Sequence, residues 1–271
     1  MSPVSHPSPA PPADPQLLSA AVDILREAGE LTLRHFRSVD LEVDDKADGT
    51  PVTVADRGAE RLIRERLAAL CPDDAVQGEE EASTTGTSGR TWTIDPIDGT
   101  KAFTHGVPLY SNLLALDDEH GPAIGVVNIP ALGETVWAGR GLGCFYNGEP
   151  TTVSTRAEVR GSWMMTSGIG NWNPALLDAV HDAGVFVRTW GDGYGYVLVA
   201  TGRVEAMLDP QAAVWDVAPM PVIMAEAGGR FSAVDGRAGA GNGSGLGSNG
   251  VLHDALLEVV APAAAAGPMT T

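Results

Sequence analysis

Leu17, Leu18, Ala21, Leu25, Ala28 and Leu31 recur three and four residues apart, the spacing of one apolar helix face, and predict a helix over residues 15–37. Asp14-Pro15 opens it as a cap followed by a first-turn proline. After the turn-rich segment from Asp44 to Pro51, the residues Leu62, Ile63, Leu67 and Leu70 mark the apolar face of a second helix over about 56–70. Strand-favouring runs follow at 90–95, 111–117, 123–129 and 134–140, separated by Gly, Pro and Asn as antiparallel pairing requires. Beyond about residue 152 strands (164–167, 185–189, 204–208) alternate with helices (174–183, 194–201, 217–227), the last closed by Gly228-Gly229. The Gly239–Gly247 run reads as a flexible loop, and residues 1–13 and 261–271, rich in Pro, Ser or Ala, as disordered tails. The pattern predicts an α+β lobe over 14–150 and an α/β lobe over 151–260, with no internal repeat.

Composition adds exclusions. The chain of 271 residues is 44% hydrophobic and 19% charged, ordinary for a soluble protein with a sizeable core. A formal net charge of −18 argues against nucleic acid or an anionic membrane as the main partner. It still admits a phosphorylated small molecule, provided bound cations reverse the local field. No apolar run reaches the roughly 18 residues of a membrane span. Cys71 and Cys144 are far apart and read as buried free thiols, which fits a reducing compartment and a cytoplasmic location. Of the 17 basic residues, 15 are Arg; the two lysines, Lys46 and Lys101, both stand beside carboxylate-bearing motifs, where a compact point charge has a use.

The chemistry concentrates at Trp92–Thr100, Trp-Thr-Ile-Asp-Pro-Ile-Asp-Gly-Thr, where a strand runs into Asp95 and a tight turn presents Asp98. Two carboxylates that close repel, and burying them costs several kcal/mol each unless a cation or donors intervene. A hard divalent cation with oxygen ligands resolves the conflict. Asp56, Glu79 and Asp216 are further candidates, although helix capping explains Asp56 and Asp216 equally well, and solvated charge explains Glu79.

The turn Asp95-Pro-Ile-Asp98-Gly-Thr100 resembles the signature of the inositol monophosphatase superfamily of metal-dependent phosphatases. So do Trp215-Asp216-Val217-Ala218-Pro219, running on to Gly228-Gly229, together with Gly78-Glu79-Glu80 and Pro51-Val-Thr-Val-Ala-Asp56, all in the family's order and spanning about 15–260. The resemblance implies a layered αβαβα sandwich, a homodimer and two to three Mg2+ ions per site. By the same resemblance Glu79, Asp95, the Ile97 carbonyl, Asp98 and Asp216 would hold the metals. Asp56 and Thr100, with Glu79, would serve the attacking water; the Gly99 and Thr100 amides, read as a helix start, are donors suited to phosphate oxygens. Lys46 would sit on a mobile loop above them.

Within the superfamily, Lys46–Thr53, Asp98–Phe103 with Gly106-Val-Pro108, and Gly191-Asp-Gly-Tyr-Gly-Tyr196 resemble the bacterial histidinol-phosphate phosphatases of histidine biosynthesis. An ammonium and an imidazole on that substrate suit carboxylates, for which Asp192 and Asp209 are the candidates, with Trp190, Tyr194 and Tyr196 as candidates for stacking. The six histidines have no metal-ligand spacing. Phosphatases acting on inositol-1-phosphate, fructose-1,6-bisphosphate or a phosphoadenosine nucleotide are alternatives, as is an inactive binding protein.

Overall fold

Asp14 caps the first helix, Pro15–His35, by accepting the amide protons of Gln16 and Leu17 at 2.8 and 3.5 Å. The computed structural model describes residues 10–39, 43–45 and 51–265, so Lys46 lies outside the described residues. The second helix, Val54–Leu70, starts two residues before its expected position. Thr53 is its cap, and Asp56 at the third helical position bonds back to the Thr53 amide, a reciprocal arrangement that satisfies two otherwise unpaired donors.

These two helices pack on one face of a seven-stranded sheet. Its strands lie in chain order: Ala75–Gly78, Thr91–Asp98, Ser111–Asp118, Gly121–Ile129, Glu134–Gly139, Gly143–Tyr146 and Glu149–Pro150. Only the first pair is parallel. A second, five-stranded mixed sheet has the order Phe186–Arg188, Trp163–Met165, Ala206–Asp209, Gly245–Ser248, Arg230–Ser232. Helices Asp192–Ala200 and Met220–Glu226 lie between the sheets, and Pro174–Asp182 with His253–Ala264 covers the outer face of the second. Five layers result, helix–sheet–helix–sheet–helix, which is the expected sandwich. Leu113, Val127 and Val136 of the large sheet meet Met165, Met207 and Phe231 of the small one through Tyr196, Val197 and Ile223, so both sheets share a core. Each fully buried aliphatic side chain there contributes about 1.5–3 kcal/mol.

Four expectations need correction. The glycine-rich run at 239–247 was expected as a loop throughout, yet Gly245–Ser248 is an interior strand. A Cβ at Gly245 or Gly247 would press into Tyr196, so those glycines serve close packing rather than flexibility. The helix expected over 217–227 is two helices, Val214–Val217 and Met220–Glu226, broken at Ala218-Pro219 where proline removes an amide donor. Residues 10–13 are not a loose tail: Ala13 is buried, its amide bonds the Arg140 carbonyl at 2.8 Å, and Arg140 reaches the Pro11 carbonyl. The last helix, His253–Ala264, likewise runs into the segment expected to be a C-terminal tail. Among the described residues no helix is long and apolar enough to cross a membrane.

Candidate metal and active site

The strand Thr91–Asp98 pairs regularly with its neighbour up to Asp95, then shifts register before Asp98. Pro96 cannot donate to the ladder, and such an irregularity re-aims side chains at a strand end. Three side chains fix the backbone there: Asn112 Nδ2 donates to the Pro96 carbonyl at 2.6 Å, Asn128 Nδ2 to Asn112 Oδ1 at 3.1 Å, and Thr135 Oγ1 to Asn128 Oδ1 at 2.9 Å. Gly99, with φ at 79°, turns the chain into the short helix Thr100–Thr104. A Cβ there would also stand 2.7 Å from Asp192 Oδ2.

Oxygens of Asp95, Asp98 and Asp216 come within 4.8 Å of one another. Asp98 and Asp216 are each anchored from behind. Asp98 Oδ2 accepts from the Ser111 hydroxyl at 2.7 Å and from the Gly193 amide. Asp216, in the first turn of Val214–Val217, accepts the Ala213 amide at 2.8 Å through Oδ2. Asp56 Oδ2 takes the Thr53 amide at 2.8 Å and hydroxyl at 2.5 Å. What remains is acceptor capacity with nothing to accept: Asp56 Oδ1 and Asp95 Oδ1 are buried without a hydrogen-bond partner.

Burial pushes Asp95 well above the usual carboxylate range, and the charges of Glu79, Asp98 and Asp216 push it further. Asp98 is raised well above it too, by burial and then by Asp192 and Asp216, against the pull of Ser111 and Gly193. Glu79 hydrogen-bonds Asp95 and adds to the upward shift of Asp56, whose main cause is burial. The structure therefore brings Glu79, Asp56 and the three aspartates into one charge cluster. Orphaned oxygens, an all-oxygen donor set and unrelieved like charge fit a divalent cation. The Ile97 carbonyl accepts the Thr100 hydroxyl at 3.0 Å, while Asp56 is held by Thr53.

A cavity of about 470 Å³ opens over this cluster, lined by Glu79, Asp95, Asp98 and Thr100 together with Asp192, Asp209 and Trp215. Asp192 adopts φ of 54°, a left-handed conformation uncommon for a residue with a Cβ, and its amide donates to Ser167 Oγ at 3.0 Å. Burial raises its carboxyl, and Ser167 and Lys101 pull it back. Asp209 is more tightly engaged: Oδ1 accepts the Ser167 amide at 3.2 Å and hydroxyl at 2.7 Å, and Oδ2 accepts the Tyr196 hydroxyl at 3.2 Å. Tyr196 is fully buried beneath it, Trp190 is exposed and stacks on Trp163 at 6.2 Å, and Tyr194 lies under the Arg203 guanidinium at 5.8 Å. None of these three aromatics lines the cavity; Trp215 does. His253 is buried between the Ser232 and Ser248 hydroxyls and held down at about 4, in a packing role away from the cluster.

Burial lifts Asp209 from 3.8 to about 7. Below about pH 4 both folded and unfolded chains hold the proton; between about 4 and 7 only the folded chain does, so stability falls as pH rises through that window, by about 1.4 kcal/mol per unit at most. Asp209→Asn is expected to remove this slope, gaining on the wild type in Tm as pH rises from 5 to 8. Thermal unfolding across that range reads it, and parallel profiles would refute the assignment.

Spacing assigned no role to Ser111, Ser167, Asn112, Thr53, Trp215 or Gly193; the last three lay in stretches already singled out, Pro51–Asp56, Trp215–Pro219 and Gly191–Tyr196, whereas Ser111, Ser167 and Asn112 lay in none. The sequence model of the inositol monophosphatase family matches residues 14–265. The chain is 41% identical over 249 residues to a histidinol-phosphatase of Mycobacterium tuberculosis, covering 89% of this chain and 96% of that one. It is 44% identical over 238 residues to a histidinol-phosphatase of Chlorobaculum parvum, covering 84% and 90%. The solved structure of a Thermotoga maritima IMPase superposes with a TM-score of 0.83 at 30% identity, over 93% of this chain and 99% of that one.

Proposed function

The chain belongs to the inositol monophosphatase family, and from that premise we propose that it is a Mg2+-dependent phosphomonoesterase, acting as a homodimer, that converts L-histidinol phosphate to L-histidinol and phosphate. The observation that carries the chemistry is the convergence of Asp95, Asp98 and Asp216 around buried oxygens with no hydrogen-bond partner. The likeness at 41–44% identity to histidinol-phosphatases supports the choice of ester.

In this reading Glu79, Asp95, Asp98, Asp216 and the Ile97 carbonyl hold two to three Mg2+ ions. Bound there, the metal supplies Lewis acidity, lowering the pKa of water and stabilising charge on the leaving oxygen. Asp56, its carboxyl raised by burial, offers Oδ1 to the proton of the attacking water. Thr100, whose hydroxyl proton goes to Ile97, keeps lone pairs with which to orient that water. The Gly99 and Thr100 amides, on the cavity wall, are donors for phosphate oxygens. Asp192 meets the ammonium or imidazole of the substrate, while Asp209, with both oxygens engaged, supports Ser167 and Asp192 from behind. Lys46 carries no part of the proposal.

Phosphate release with Mg2+ from L-histidinol phosphate, inositol-1-phosphate, fructose-1,6-bisphosphate and p-nitrophenyl phosphate tests it, on protein whose sedimentation mass has been measured. We expect kcat/KM for histidinol phosphate to lead inositol-1-phosphate by roughly 10²-fold. Asp192→Asn should cut that lead about tenfold while sparing p-nitrophenyl phosphate. The reverse ranking would move the chain to another ester of the family, equal losses would make Asp192 structural, and one chain per particle would remove the dimer alone.

A further inference from the structure

Glu60 is a fully buried carboxylate that the proposed reaction does not use. It stands on Val54–Leu70 one turn beyond Asp56, facing the loop that leaves the strand Ala75–Gly78. Its Oε2 accepts the Glu80 amide at 2.7 Å and its Oε1 the Glu81 amide at 3.1 Å. Arg64, one turn further along, donates to Oε1 at 2.7 Å and to the Glu81 carbonyl at 3.1 Å, closing the loop onto the helix. Gly78 leaves the room: a Cβ there would overlap Glu60 Oε1 and come within 2.8 Å of the Arg64 guanidinium. Glu79, the residue between Gly78 and Glu80, is thus carried on a backbone gripped on both sides.

The grip has an electrostatic purpose. Glu79 lines the cavity with Asp95 and hydrogen-bonds it, a contact that like charge opposes once both carboxyls are ionised, as a metal site requires. An unrestrained loop would relieve that repulsion by moving outward, and a cation would then have to draw it back at a cost in affinity. We propose that Glu60, closed by Arg64, is a positioning residue that presets the Glu79 loop for the divalent cation. The proposal rests on the metal reading above, and it places a determinant of metal affinity on a side chain that touches neither metal nor substrate.

The test measures Mg2+ binding to metal-free protein by calorimetry, alongside the Mg2+ concentration giving half-maximal phosphate release. Glu60→Gln preserves shape but replaces one acceptor with a donor facing an amide. It should weaken Mg2+ binding about tenfold or more, with kcat at saturating Mg2+ within about threefold of wild type. Arg64→Lys, which keeps the charge but loses the two-pronged contact, should weaken it several-fold. In a cycle with Glu79→Gln, the Glu60 substitution should add little once Glu79 is gone. Wild-type Mg2+ affinity in Arg64→Lys, or losses that simply add in the cycle, overturn the proposal even if Glu60→Gln proves too unstable to assay. Absence of any Mg2+ binding by the wild-type chain would instead overturn the metal reading itself, and the grip with it.

Discussion

Asp98→Asn is expected to lower Mg2+-dependent phosphate release by roughly 10³-fold or more, while the metal-free protein unfolds at an unchanged or higher temperature. The asymmetry of the side chain's surroundings gives the reason. Oδ2 accepts from Ser111 and the Gly193 amide. An asparagine must place its own oxygen there, so its NH2 group turns toward Asp95 and Asp216, where a cation would need an acceptor. Losing the charge relieves a carboxyl that burial and two acidic neighbours hold well above its usual range, so the fold does not suffer. The variant should also lose the rise in Tm that Mg2+ gives the wild type. Initial rates with and without Mg2+, paired with melting curves, decide it; wild-type turnover would sink the mechanism.

Gly193→Ala should damage activity less than Asp98→Asn does and stability far more. A Cβ at this position would run into Ser111 Oγ, lie 2.9 Å from Leu113, and sit 3.0 Å from Asp98 Oδ2. All three are side-chain ends, but each belongs to a buried residue on a strand of the large sheet, and Ser111 and Asp98 hold each other by a hydrogen bond, so little of this crowding can be relieved by side-chain rotation. The helix Asp192–Ala200 must back away, releasing Asp98 and moving Asp192 with it. Overpacking of this kind costs about 1–3 kcal/mol, or roughly 3–10 °C in Tm, and a loss of about 10²-fold in kcat is expected from misplaced groups. A variant that melts and turns over like the wild type would mean that the helix start does not govern Asp98.

Most of the site was legible because its chemistry is written in contiguous residues. Asp95 and Asp98 stand on one turn, and Glu79, Asp56 and Asp216 fall in short motifs. The first two helices and four strands of the large sheet were legible too, since one face of each is apolar at a regular period. The supporting groups were not. Ser111 and Gly193 each give Asp98 one hydrogen bond, and Glu60 holds the Glu80 and Glu81 amides 20 and 21 residues away, contacts that only the fold brings together and no spacing along the chain encodes. The strand Gly245–Ser248 escaped for a related reason: its glycines make room for Tyr196, so the signal that reads as flexibility in one dimension is close packing in three. Tyr194 and Tyr196 suggested stacking on a substrate, but an aromatic residue near a motif in sequence is as free to face the core, and Tyr196 does.

The anchoring of Asp98 and Asp216 from behind has a consequence for which ion fits. Asp98 Oδ2 already accepts two hydrogen bonds, from Ser111 and Gly193, and Asp216 Oδ2 accepts one from Ala213, so a cation gripped by both oxygens of Asp98 would compete with the protein's own donors. Denticity is thereby limited by the protein's own hydrogen bonds. A large ion such as Ca2+, which gathers six to eight oxygens and often grips a carboxylate by both, would compete with those bonds whenever it took Asp98 in that way. A small octahedral ion asks for single oxygens and retains several waters, leaving coordination positions that a phosphate oxygen and a hydrolytic water can take.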